Sequence, residues 1–199
     1  TKSERTALHL AVEKGEIEII KLLLTNDKID VNIIEKETIV NQEPSCKQET
    51  TIQKSALYLA VETGNVEIIK LLLSNEKIDV NISSTEYNHF IRKCSQQKIT
   101  ERKTPLYLAV LKGNIEIVKL LLINDKTDVN IINGSFRDWP KESIEKTALF
   151  EAVDKENIEI VRLLLQNQKT DVNILCEKAE RESKYTKKTV LNLAIEKGN

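Results

Sequence analysis

Apolar and polar positions along this chain fall into a pattern that returns. Four stretches, Ile17-Glu18-Ile19-Ile20-Lys21-Leu22-Leu23-Leu24, Val66 to Leu73, Ile115 to Leu122 and Ile158 to Leu165, place apolar residues on more than one stripe of a helix. Such a helix is expected to be buried on most sides. A segment with one apolar face, such as Thr6 to Lys14, precedes each and predicts a first helix. Gly15, Gly64, Gly113 and Gly198 stand where that first helix should stop. Glycine supplies the left-handed backbone that a chain reversal needs. In the fourth unit the position is Glu156. Glu18 and Lys21, with their counterparts Glu67 and Lys70, Glu116 and Lys119, Glu159 and Arg162, are left for solvent. Each such pair is worth only ~0.2–0.5 kcal/mol and marks an outer face rather than a site.

The repeat can be traced residue by residue. Thr6-Ala-Leu-His-Leu-Ala11 returns as Ser55-Ala-Leu-Tyr-Leu-Ala60, Thr104-Pro-Leu-Tyr-Leu-Ala109, Thr147-Ala-Leu-Phe-Glu-Ala152 and Thr189-Val-Leu-Asn-Leu-Ala194, with starts 49, 49, 43 and 42 residues apart. Each full unit closes on Asp-Val-Asn, at 30–32, 79–81, 128–130 and 171–173. One helix pair cannot bury its apolar face alone, so neighbouring units must stack. The expected organisation is one domain over 1–199. Its units are approximately 1–49, 50–98, 99–142 and 143–184, with a partial fifth at 185–199.

These residues resemble the ankyrin repeat. The family motif T-P-L-H-x-A is met in part at Thr104-Pro105-Leu106 and Leu8-His9, and the pattern around A-V-E-K-G, the leucine run and D-V-N fits the first three copies well. The resemblance covers somewhat over half of the chain. It implies an all-α fold, an ankyrin-type helical solenoid with β-hairpin fingers between Asp-Val-Asn and the next Thr or Ser. Those connections hold 22, 22, 16 and 15 residues, longer than the usual 33-residue period allows, so the fingers should be elongated. Where the family has Gly-Ala before Asp-Val-Asn, this chain has Asn26, Asn75, Asn124 and Asn167, which can take left-handed geometry at a helix end, so the turn should survive with slightly altered shape. The family's His survives only as His9, so the hydrogen bond it makes is in doubt where Tyr58, Tyr107, Phe150 and Asn192 replace it. In its Ile, Lys and Asn bias the chain is similar to ankyrin arrays of single-celled protists.

Composition narrows the function. Charged residues are 31% of the chain, yet the net charge is −1, which argues against a nucleic-acid or membrane-surface module. The four connections carry −1, +3, 0 and +2, too mild and uneven for tracking phosphates. No apolar run approaches the ~20 residues of a membrane span. Three cysteines, Cys46, Cys94 and Cys176, cannot all pair and suggest free thiols in an intracellular, cytoplasmic setting. The triplets Asn81-Ile-Ser and Asn133-Gly-Ser match the glycosylation pattern, which is common by chance. The lack of methionine, and a C-terminus that stops where a second helix should begin, suggest an internal fragment.

No catalytic constellation, cofactor or metal is expected. His89 and Cys94 are too few for a zinc site. Glu151, which replaces a leucine of the sister units, has no second group for acid–base work and is expected to face the groove instead. The expected function is a protein-interaction scaffold whose partner is another protein. The family implies contacts through the ends of the first helices, here Glu13, Lys14, Glu62, Thr63, Leu111, Lys112, Asp154 and Lys155, and through the fingers. Tyr87 and Phe90 on the second finger, with Phe136, Arg137 and Trp139 on the third, are of the types enriched at interfaces. Packing of Phe136 and Trp139 on a neighbouring finger is the competing expectation. The other functions considered are a regulatory or tethering segment of a larger enzyme or channel and, as a minor alternative, nucleic-acid binding by the basic fingers.

Overall fold

The computed structural model describes residues 2–43, 46–92, 95–138, 142–180 and 184–198. Within them the chain runs β1 (Lys2–Glu4), α1 (Ala7–Lys14), α2 (Ile17–Leu24), β2 (Ile34–Glu43), β3 (Cys46–Ser55), α3 (Ala56–Thr63), α4 (Val66–Leu73), β4 (Ser84–Arg92) and β5 (Ser95–Lys103). It continues through α5 (Pro105–Leu111), α6 (Ile115–Ile123), β6 (Asn133–Arg137), β7 (Glu142–Lys146), α7 (Ala148–Asp154), α8 (Ile158–Gln166), β8 (Cys176–Glu180), β9 (Lys184–Lys188) and α9 (Val190–Lys197).

The repeated Thr or Ser is the reason each first helix starts where it does. Thr6, Ser55, Thr104, Thr147 and Thr189 are N-caps whose side chains accept from the backbone N–H three residues on. Pro105 occupies the first turn of α5, where no N–H is missed. The turn into the second helix is left-handed at Gly15, Gly64 and Gly113, and at Glu156, with φ of 58°. Asn65, Asn114 and Asn157 then cap α4, α6 and α8.

The far end of the unit closes without the left-handed turn. Asn26, Asn75, Asn124 and Asn167 are not left-handed, since Glu156 is the one non-glycine residue with positive φ among those described. Each Asn side chain instead accepts from the backbone N–H two residues on, at 2.9–3.0 Å. This Asx turn closes the helix without a strained backbone. Of the outer-face pairs, Glu18–Lys21 forms at 2.7 Å, while Lys119 reaches across to Glu159 of the next unit at 3.8 Å.

The Asp-Val-Asn motif ties units together. Asn32 Oδ1 accepts from Asp79 N and its Nδ2 donates to the Lys77 carbonyl; Asn81 and Asn130 repeat this toward Asp128 and Lys126, and toward Asp171 and Lys169. Val31, Val80 and Val129 are buried between them. The core runs through the stack, with Leu57, Ile68, Ile69, Leu72, Ile117, Leu121, Leu149, Ile160 and Leu164 fully buried.

The all-α assignment is overturned by the fingers. Within the described residues β1 to β9 form one antiparallel sheet in sequential order. The first two hairpins pair over ten and nine residues from base to tip. Neighbouring fingers also pair with each other, β3 with β4 over eight residues and β5 with β6 over four. The reason is the unpaired row of N–H and C=O groups on the outer edge of any isolated hairpin. Stacked side by side, long fingers satisfy each other's edges. β7 and β8 share one ladder pair, Glu145 with Glu177, reinforced by a Ser143 hydroxyl donating to Glu177.

Candidate functional site

Where each finger meets its first helix, one buried finger residue is joined to the helix start. The position is Glu35, Ser84, Asn133 and Cys176 in successive units. Asn133 Oδ1 accepts from Thr104 N at 2.6 Å, and Cys176 Sγ from Thr147 N at 3.4 Å. Glu35 instead accepts from Arg5 Nε at 2.7 Å. The facing helix residue changes with it. His9 lies beside Glu35, Tyr58 beside Ser84, and Phe150 packs in one apolar cluster with Cys176. His9 Nδ1 meets Thr6 Oγ1 at 2.7 Å, while its buried Nε2 makes no hydrogen bond of normal geometry. Burial holds His9 below its ordinary value against the pull of Glu35, and burial raises the Cys176 thiol.

A second recurrence sits one residue before each cap. Arg5, Lys54, Lys146 and Lys188 each pair with an acid eight residues on: Glu13 at 2.9 Å, Glu62 at 2.6 Å, Asp154 at 2.7 Å and Glu196 at 2.8 Å. In the third unit the eighth residue is Leu111, and Lys103 turns back to Glu101 on its own strand at 2.7 Å. Three proposed groove residues, Glu13, Glu62 and Asp154, are therefore already engaged by their own unit. This sequence signal, a base before the cap and an acid at plus eight, was available but unread.

Glu151 does not lie open in the groove. It is 5% exposed, accepting from Tyr107 Oη at 3.0 Å and from Lys146 Nζ at 2.8 Å. Burial, and then Glu151, raise Tyr107. Burial works to lower Lys146, but hydrogen bonds to Asp154 and Glu151 outweigh it and hold the ammonium above its usual value. Lys14, Lys112 and Lys155 are exposed, and Leu111 is half-buried. Lys112 donates to the Glu62 carbonyl at 2.6 Å, and the Thr63 hydroxyl to the Ala60 carbonyl at 3.1 Å.

The ladder register sorts the finger residues between two faces, because directly opposed residues share a face and neighbours alternate. Tyr87, Thr100 and Phe136 form one row, with the Arg102 guanidinium 5.8 Å from the Phe136 ring centroid. Phe90 and Arg137 lie on the opposite face, the one that carries Ile52, Lys54, Glu86, Glu101 and Lys103. That second face meets Tyr58 and Glu62 of α3 and Leu108 of α5 around a cavity of about 170 Å³. The expected finger cluster is thus split between two sides of the sheet. Trp139 lies outside the described residues, as does Cys94. Both glycosylation triplets are committed to the fold: Asn133 is buried in the lock above and Asn81 bridges two units. Among the described residues no helix is long and apolar enough to cross a membrane.

A family model of ankyrin repeats (3 copies) matches residues 36–133 and 87–175, and one of the single ankyrin repeat matches residues 3–36. No curated protein matches the chain.

Proposed function

The chain belongs to the ankyrin-repeat family, and on that premise we propose that it binds another protein along the groove between the first helices and the inner face of the finger sheet. One observation carries this: the fingers are joined into one sheet whose face runs into α3 and α5 around an open cavity. Backbone pairing between fingers makes that wall stiff before any partner arrives, and preorganised surfaces lose less entropy on binding. The contacts proposed along it are Lys14, Leu111 and Lys155 from the helix ends, Lys112 beside the Glu62 carbonyl it meets at 2.6 Å, and Phe90 from the fingers.

The test is capture of partners from an extract of the source cells on the immobilised chain. Phe90→Ala with Lys112→Ala should lower the yield of a captured protein at least tenfold, and Lys119→Ala on the second-helix side should leave it unchanged. Loss with Lys119→Ala alone would place the interface on the other side of the stack.

A further inference from the structure

The cavity between the second finger and α3 exists because two acids are missing. Around α7, the junction is filled: Lys146 reaches inward to Glu151 and Asp154, and Glu151 takes the Tyr107 hydroxyl. One unit earlier the counterparts of Glu151 and Asp154 are Leu108 and Leu111. With leucine at both helix positions, Lys103 pairs with Glu101 on its own strand, and the space beside Tyr58 stays open at about 170 Å³. That is room for a side chain rather than for one water.

The lining states what would fill it. Ile52, Leu108 and the Tyr58 ring form apolar walls. Three carboxylates, Glu62, Glu86 and Glu101, line the cavity with two ammonium groups, Lys54 and Lys103. Each lysine is already matched, to Glu62 at 2.6 Å and to Glu101 at 2.7 Å. Glu86 accepts from the Asn88 amide at 2.9 Å and has no ion pair among the described residues. It also stands directly opposite Glu101 in the ladder, an arrangement of like charges that destabilises a strand pair. Burial, with Glu62, Glu86 and Glu101 adding to it, raises the Tyr58 hydroxyl to about 12. A carboxylate ligand would meet one negative charge too many; a cation relieves the opposed pair.

We propose that this cavity seats an arginine side chain projecting from an extended segment of the partner protein, its stem against Ile52 and Leu108 and its guanidinium on Glu86 and Glu101. This rests on the protein-binding function above and adds the chemistry of the partner. Arginine is preferred to lysine because a planar fork can serve two carboxylates at once and can lie against the Tyr58 ring. The chain shows the same principle in the next unit, where it supplies its own cation between two carboxylates.

The experiment is an NMR titration of the whole chain with N-acetyl-arginine amide, beside N-acetyl-norleucine amide as a control with the stem alone. Saturable shifts confined to Ile52, Tyr58, Ser84 and Leu108 are expected, on the order of millimolar, the strength available to one side chain. Leu108→Glu recreates the filled junction, drawing Lys103 inward, and should abolish the response. Glu86→Gln with Glu101→Gln leaves the core untouched and should weaken binding at least fivefold. Shifts that do not saturate, that norleucine amide reproduces, or that survive both variants would overturn the proposal. Capture of a partner unaffected by these variants would leave the wider protein-binding function standing while removing the arginine seat.

Discussion

Tyr107 Oη donates to Glu151 Oε2 at 3.0 Å across the boundary between the third and fourth units. The carboxylate is buried and shared with Lys146 at 2.8 Å, so the contact is charge-assisted. Tyr107→Phe should cost ~1–3 kcal/mol, the range for depriving a buried charged group of one hydrogen bond. In a Glu151→Leu background the same change should cost less than about 0.5 kcal/mol, the pair being coupled rather than additive. Urea denaturation of the four proteins in the double-mutant cycle gives the coupling. Equal costs in both backgrounds would mean the bond contributes nothing.

Glu156 carries φ of 58° where Gly15, Gly64 and Gly113 take the same turn. A non-glycine residue there costs roughly 1 kcal/mol. Its side chain, 60% exposed, meets Lys197 at 3.1 Å, an exposed pair of little value. Glu156→Gly should therefore stabilise the array by about 1 kcal/mol in thermal denaturation. A neutral or negative shift would show that the Lys197 contact outweighs the backbone strain.

Gly134 is required by proximity rather than by its backbone angles. A Cβ there would sit 1.7 Å from the Ile144 carbonyl oxygen of the paired strand. Gly134→Ala should force β6 from β7 and cost ~1–3 kcal/mol, as overpacking does. Faster hydrogen exchange at Ser135 and Ile144, with α4 unchanged, is the expected signature.

His9 is buried and its folded value is depressed. The unfolded state then binds the proton first, so His9 contributes stability above about pH 6.5 that is lost as pH falls through the lower folded value. His9→Tyr, which copies Tyr58 and Tyr107, removes that titration. The stability difference between native chain and variant should shift in favour of the variant as pH falls from 7 to 5. A constant difference across that interval would show that His9 does not drive the loss.

Leu72 is fully buried in the last turn of α4. Leu72→Ala should cost ~2–5 kcal/mol through lost contacts and the cavity left behind. A change below about 1 kcal/mol would show that neighbouring units collapse into the space.

The period, the helix pairs and the glycine turns were read from the sequence, and the caps, first seen in the structure, are equally local, because each depends on residues close in the chain. The cap needs Thr or Ser three positions before the N–H it serves, and the turn needs glycine at one place. Even the strained Glu156 could be named from its sisters. The helix ends at Asn26, Asn75, Asn124 and Asn167 were not decided by the sequence, because Asn has two local solutions, a left-handed backbone or an Asx turn, and nothing local separates them. The sheet was beyond the sequence for a different reason. Whether Thr51 pairs with Tyr87 depends on two fingers being held side by side by the helix stack, and edge hydrogen bonds leave no mark in the composition of a strand. The tertiary structure likewise decided the fate of the charged residues. Glu151 and Lys103 resemble their neighbours in the sequence as ordinary surface charges. Stacking buried the first against Tyr107 and, by placing Leu108 and Leu111 where acids stand one unit later, left the second to pair with Glu101 on its own strand beside the open cavity at Tyr58.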